Sequence, residues 1–188
     1  MKIIAVNRPI EQATIDTFPI VDIIPDSAII KEGKPFFIPD FSSEWKYQAT
    51  IAFRITRLGK NIASKFAPRY YDAIAIAVRT IPCDIASSPS AIAKAFDGSF
   101  IIGEWLPIED IDTSKPMVIS IGDKSVTINP FELMINDTIA ILSKFLTLKI
   151  GDIIAPATIP LTESITINTI VTGKIENIND DCLKLKFK

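Results

Sequence analysis

The stretch KYQATIAFRI, residues 46–55, places Tyr47, Ala49, Ile51, Phe53 and Ile55 at every second position. That period is the signature of a β-strand with one buried face, because successive side chains point to opposite sides. The opposite face carries Gln48, Thr50, Ala52 and Arg54. Further strand-like runs recur at 2–6, 20–24, 36–38, 73–78, 99–102, 117–121, 124–128, 153–154, 164–171 and 182–187. Within IGDKSVTI a Gly122-Asp123 pair separates two alternating runs, which predicts a tight hairpin.

Helical spacing is confined to two places. GKNIASKFAPRYYDA, residues 59–73, sets Ile62, Phe66 and Tyr70 on one face, with Pro68 as a break. PFELMINDTIAILSKFL, residues 130–146, is the stronger helix: Pro130 and Glu132 suit its first turn, and Leu133, Ile139, Leu142 and Leu146 form an apolar stripe. Strands with a few flanking helices predict an α+β fold, mostly β, in one domain over 1–188.

The chain contains no histidine, so no imidazole base and no Ser-His-Asp or Cys-His arrangement can be built. Its two cysteines, Cys83 and Cys182, are far apart and lack metal-type spacing, which fits a reduced, cytoplasmic protein. A net charge of −2, with scattered Lys and Arg, gives no footprint for nucleic acid or a membrane surface. MKIIAV is too short for a signal-peptide core and reads as a first strand, and no apolar run reaches membrane-spanning length.

Four segments taken in order carry a resemblance: PDSAIIKEGKPFFIPDFSSE, then YQATIAFRITRLGKNIASKFAPRYYDA, then KAFDGSFIIGEW, then TLKIGDII. From Lys2 to about Thr158 the chain resembles the fumarylacetoacetate hydrolase family, which includes fumarylpyruvate hydrolases, acylpyruvases and related isomerases and decarboxylases of β-diketo acids. The most specific marks are Lys94, Phe96, Asp97 and Gly98 in KxFDG, and Thr147 to Asp152 in TLKIGD. The resemblance implies a mixed β-roll of antiparallel sheets with flanking helices, commonly a homodimer. A mean hydropathy of +0.31 is compatible with a buried self-association face.

The family's chemistry rests on Mg or Mn held by a Glu-x-Glu pair on one strand and a later Asp. Hard dications favour such carboxylate oxygens, and strand positions i and i+2 share a face. Carried onto this chain, those ligand positions fall on Gln48, Thr50 and Arg79, with Asp84 matching an acidic residue further on. A cavity without anionic ligands and with a guanidinium is expected not to hold a dication, so no cofactor is expected. Other departures agree. Arg8 is kept but NRPI lacks the family's Asn and Tyr; Glu11 has no histidine beside it; Pro82 and Cys83 replace an Ala and an Arg; Thr158 survives without its glycines.

The expectation is a degenerate family member: a pseudoenzyme serving as a binding or structural partner, as a homodimer or paired with an active paralogue. Two alternatives stand beside it. One is an active hydrolase, isomerase or decarboxylase on β-diketo acids. The other is a metal-free binder of a small carboxylate anion, with Arg8, Arg79, Lys94 and Thr158 as candidate ligand-binding residues. Lys94, at the family's active-site lysine, either meets such an anion or pairs with Asp97 or Asp84. Asp97, preceding Gly98, is expected to hold a turn rather than act as a base. Cys83 is read as an apolar filler, and Trp45 and Trp105 as core or interface anchors.

Overall fold

A computed structural model of the chain describes all residues but 13, 32, 89, 113, 114, 177, 179 and 180. Glu32, inside the first of the four segments above, therefore lies outside the described residues. The strands are β1 (Lys2–Val6), β2 (Val21–Pro25), β3 (Ile29–Lys31), β4 (Trp45–Ile55), β5 (Tyr71–Pro82), β6 (Phe100–Ile102) and β7 (Leu106–Pro107). They continue as β8 (Met117–Ile121), β9 (Lys124–Ile128), β10 (Ile153–Ala155), β11 (Thr158–Ser164), β12 (Ile170–Ile175) and β13 (Leu183–Lys186). One α-helix, α1 (Ile135–Phe145), and several short 3-10 turns complete the described elements.

The larger sheet follows the order β2-β1-β10-β4-β5-β6-β3, with β11 also beside β4 and β7 beside β5. It is mainly antiparallel, but β1–β10 and β3–β6 are parallel pairs. Its two end strands, β2 and β3, are separated in the chain only by Asp26–Ala28. Seven strands laid flat at ~4.8 Å would put those ends roughly 29 Å apart. The four steps from Pro25 to Ile29 reach at most about 14 Å. The sheet therefore curls until its ends approach, and the Gly98 N–H donates to the Ala28 carbonyl at 3.0 Å where they do.

Curling gives the sheet a narrow inside. On it, Ala52 pairs with Ala75 and Ala5 with Ala155, accompanied by Ala77, Ala28, Ile3, Ile24, Phe100, Ile102 and Ile153. Small side chains are what a tight roll can accommodate. The face of β4 that the alternation leaves polar is thus mostly this interior, since Thr50 and Ala52 are both buried. Outside, Ile51 stands opposite Ile76 and Ala49 opposite Val78. They pack with Ile139 and Leu142 of α1 and with Ile119, Ile121, Leu183 and Leu185 of the second sheet, β13-β12-β8-β9, in the main core.

The TLKIGD segment earns its place structurally. Asp152 is fully buried and accepts the backbone N–H groups of Lys2 (3.1 Å) and Lys149 (2.9 Å), and the Lys2 ammonium pairs with it. Gly151, at φ +85, makes the turn that aims this carboxylate at β1. The hairpin at Gly122-Asp123 forms with Ile121 opposite Lys124, as the turn pair predicts.

Other expectations need correcting. The run 164–171 is not one strand: β11 ends at Ser164 and β12 begins at Ile170, with Asn168 at φ +64 between them. Over 59–73 the chain forms only a 3-10 helix, Ser64–Arg69, because Pro68 lies inside it and cannot donate to an α-helical ladder. The second helix begins only at Ile135, since Met134 at φ +48 separates it from a 3-10 turn at Pro130–Leu133.

A closed interior makes a direct prediction. Ala75→Leu should lower stability by roughly 1–3 kcal/mol through overpacking, read as an earlier urea midpoint. An unchanged midpoint would mean that this face of β5 is open.

Candidate functional site

One rim of the roll is polar, and strand geometry decides who stands there. In the β4–β5 ladder Gln48 lies directly opposite Arg79, and Thr50 opposite Ala77. Directly opposed residues share a face, so Gln48, Thr50 and Arg79 come to the same side; the strand period predicts this for Gln48 and Thr50, and the family resemblance implies it for Arg79. β11 extends the rows, with Thr162 beside Gln48 and Thr158 beside Thr50. From the far side of the curl, Asn7 follows β1, and Asp22 of β2 faces inward opposite Ala5.

At this rim three side chains close on one carboxylate. Arg79 Nη2 donates to Asp22 Oδ2 at 2.6 Å, and Asn7 Nδ2 donates to the same oxygen at 3.0 Å. Lys94 Nζ reaches Asp22 Oδ1 at 3.2 Å. Arg79 Nη1 also donates to Asn7 Oδ1 at 2.8 Å, closing a ring of contacts. The side chains of Asp22 and Arg79 are each only 12% exposed, whereas that of Lys94 is 37% exposed.

Burial by itself would raise the Asp22 pKa. The Arg79 charge and the hydrogen bonds from Asn7, Arg79 and Lys94 outweigh it and hold the carboxyl below its ordinary value. The expected partner of Lys94 is therefore corrected. It is neither Asp97 nor Asp84 but Asp22, brought by a strand more than seventy residues earlier. Asp84 instead accepts from the Ser43 N–H (2.7 Å) and hydroxyl (3.1 Å), and these bonds, the backbone one foremost, lower its pKa.

The remaining candidates separate from this cluster. Thr50 is buried and its hydroxyl donates to the Ala157 carbonyl at 2.7 Å, so it is turned into the structure rather than toward Arg79. Thr158 donates to the Arg8 carbonyl at 3.3 Å. Arg8 itself is buried, with its guanidinium on the carbonyls of Gln12 (2.6 Å) and Leu133 (3.4 Å), stitching the segment after β1 to the turn before α1.

KAFDG is the device that places Lys94. Phe96 sits in an aromatic cluster, 5.4 Å from Trp45 and 5.3 Å from Phe41 by ring centroids. Gly98 adopts φ +87, and a Cβ there would come within 2.9 Å of the Phe36 ring. Asp97 is exposed at this turn, consistent with a turn role. Trp45 is a core anchor, as expected; Trp105 is half-buried under the Arg54 guanidinium, 5.5 Å from its ring centroid. Cys83 is half-buried rather than fully buried.

Sequence reading missed Asn7 and Asp22. The available signal for Asp22 was a lone acid inside the apolar run IVDIIP, since an acid in a short apolar strand needs a partner. Among the described residues, no three His, Cys, Asp or Glu side chains gather as a metal site would require.

The Asp22 cluster has a sign that can be measured. Asp22→Asn should destabilise the fold by about 3 kcal/mol near neutral pH. Because the folded pKa lies below the unfolded value of about 3.9, this stabilisation is complete above that value and is lost as pH falls through the folded one. Melting temperatures of the parent and Asp22→Asn should converge on acidification below about pH 4; a gap independent of pH would contradict the assignment.

Comparison with known proteins completes the description. Residues 2–169 match the family described as Fumarylacetoacetate (FAA) hydrolase C-terminal. Oxaloacetate tautomerase fahd-1, mitochondrial, of Caenorhabditis elegans is 27% identical over 143 residues, covering 70% of this chain and 67% of that protein. Fumarylpyruvate hydrolase from Pseudomonas aeruginosa, solved in complex with Mn2+ and pyruvate, superposes with a TM-score of 0.81 at 18% identity, covering all of this chain and 90% of that one. The 5-carboxymethyl-2-hydroxymuconate delta-isomerase of Mycobacterium smegmatis gives 0.82 at 20% identity, covering 99% and 78%. At such identities the superpositions show the shared fold, and together with the match over residues 2–169 they lead to one conclusion: the chain belongs to the fumarylacetoacetate hydrolase family.

Proposed function

We propose that this chain is a catalytically silent member of its family, a binding or assembly protein on a hydrolase scaffold. The observation that carries this reading is the Asp22 cluster. Family likeness puts Gln48, Thr50 and Arg79 where a dication's acidic ligands stand, and Asp22 is a carboxylate within reach of Arg79. That carboxylate is already taken up by two cations and an amide. The Thr50 hydroxyl is committed to Ala157. These residues do not fit magnesium or manganese.

Magnitudes support the point. Unit charges about 4 Å apart interact by roughly 4 kcal/mol at an effective dielectric near 20, so a dication beside Arg79 faces about 8 kcal/mol of repulsion. Asp22 could offset only part of that, and only by releasing Arg79 and Lys94.

The silent protein would then act through its surfaces, as a homodimer or as the partner of an active paralogue. The competing enzyme reading, a hydrolase, isomerase or decarboxylase of β-diketo acids, draws on the names of the relatives. A metal-free carboxylate binder at Arg79 and Lys94 is less favoured, because Asp22 already sits on both cations.

Titration with MnCl2 or MgCl2, followed by melting temperature and by ultraviolet assay of acylpyruvate cleavage and oxaloacetate enolisation, separates these readings. The expected result is no metal-dependent shift and no turnover above buffer. Saturable metal-dependent turnover would overturn the proposal.

A further inference from the structure

The geometry points to Asp22 as a tethered ligand: Arg79, Lys94 and Asn7 form a carboxylate-binding cradle that the chain fills with its own side chain. This inference shares the site of the silent-protein reading but not its test. Its ligand class is the small monocarboxylate, of which Asp22 supplies the tethered example.

Three features give the cluster the character of a binding site rather than of a surface ion pair. First, the donors converge on both oxygens of one carboxylate: Arg79 and Asn7 meet Oδ2 and Lys94 meets Oδ1. Surface pairs are usually single and weak, whereas charge-assisted donors converging on an anion are strong. Second, the donors come from separate parts of the chain: the segment after β1, strand β5, and the turn preceding β6. Their backbones are placed independently of Asp22: that of Lys94 by the neighbouring Phe96 and Gly98, and that of Arg79 by the β4–β5 ladder. Third, Asp22 rides on an end strand of the sheet path, paired among the described residues with β1 alone. The ligand can therefore be removed without taking the cradle apart.

The charge count agrees. With Asp22 in place, Arg79 and Lys94 contribute two positive charges against one negative. Without Asp22, two cations and an amide face a gap of carboxylate size at the rim. An exogenous carboxylate then gains the same donors, and its affinity no longer competes with a ligand held at high effective concentration.

The test is chemical rescue by sodium formate, with sodium chloride at equal ionic strength as control. Asp22→Ala should melt below the parent and regain roughly 5 °C, saturably, as formate rises. The parent protein, whose cradle is filled, should show no saturable response. Asp22→Ala combined with Arg79→Gln should lose the response. Asp22→Ser, which likewise leaves the gap open, serves as the second variant in case Asp22→Ala does not fold, and should also be stabilised by formate. Recovery of folded Asp22→Ala only when formate is present would be the same positive result. A formate response equal to that of chloride in both variants, or a failure of both to fold that formate does not relieve, would overturn the inference. Metal-dependent turnover of the parent, by contrast, would defeat the silent reading and leave this one standing.

Discussion

Bringing β2 round to β3 through the three residues Asp26–Ala28 is the constraint from which the rest follows. It forces the larger sheet into a roll whose inside takes the small side chains Ala5, Ala52, Ala75, Ala77 and Ala155 beside a few larger ones such as Phe100 and Ile153. It also brings inward-facing residues of β2 and β5 within contact distance although many strands separate them along the sheet. The meeting of Asp22 with Arg79 is a product of closure. Where the roll narrows, water is largely excluded from the pair, and an unpaired charge there would be expensive. Compensation of Arg79 by Asp22 is therefore an electrostatic condition of this fold as well as a feature of its site.

Seen in this way, the family's two most specific sequence marks separate into different physical jobs. TLKIGD buries a carboxylate under β1 and fastens the strand that lines the roll. KAFDG uses an aromatic contact and a left-handed glycine to hold Lys94 at the rim. Both are scaffold functions, and both are intact. What differs from the family's pattern lies on the rows between them: Gln48 facing Arg79, and Thr50 turned to Ala157. Scaffold kept and rim chemistry altered is the feature on which the proposed silent role rests.

The legibility of these features in the sequence follows their range. The alternation in residues 46–55, the Gly122-Asp123 hairpin and the buried face of α1 depend on near neighbours and could be read directly. The sharing of one face by Gln48 and Thr50 needs only the strand period, and Arg79 joins them by an adjacent ladder. Failures begin where a partner comes from afar. Nothing near Lys94 announces Asp22, and the nearby acids Asp84 and Asp97 were the natural but incorrect partners. Helix extent was half legible: Pro68 announced a break in 59–73, whereas nothing in the periodicity of 130–146 shows the positive φ of Met134. The polar face of β4 was misread because an alternating strand does not reveal whether its second face meets solvent or the inside of a roll.

At the rim the carboxylate of Asp22 balances the charge of Arg79. A double-mutant cycle over Asp22→Asn and Arg79→Gln, followed by urea unfolding at neutral pH, measures that balance. A coupling energy above about 1.5 kcal/mol is expected, since each side chain is the other's principal charge partner. Additive effects within about 0.5 kcal/mol would contradict it.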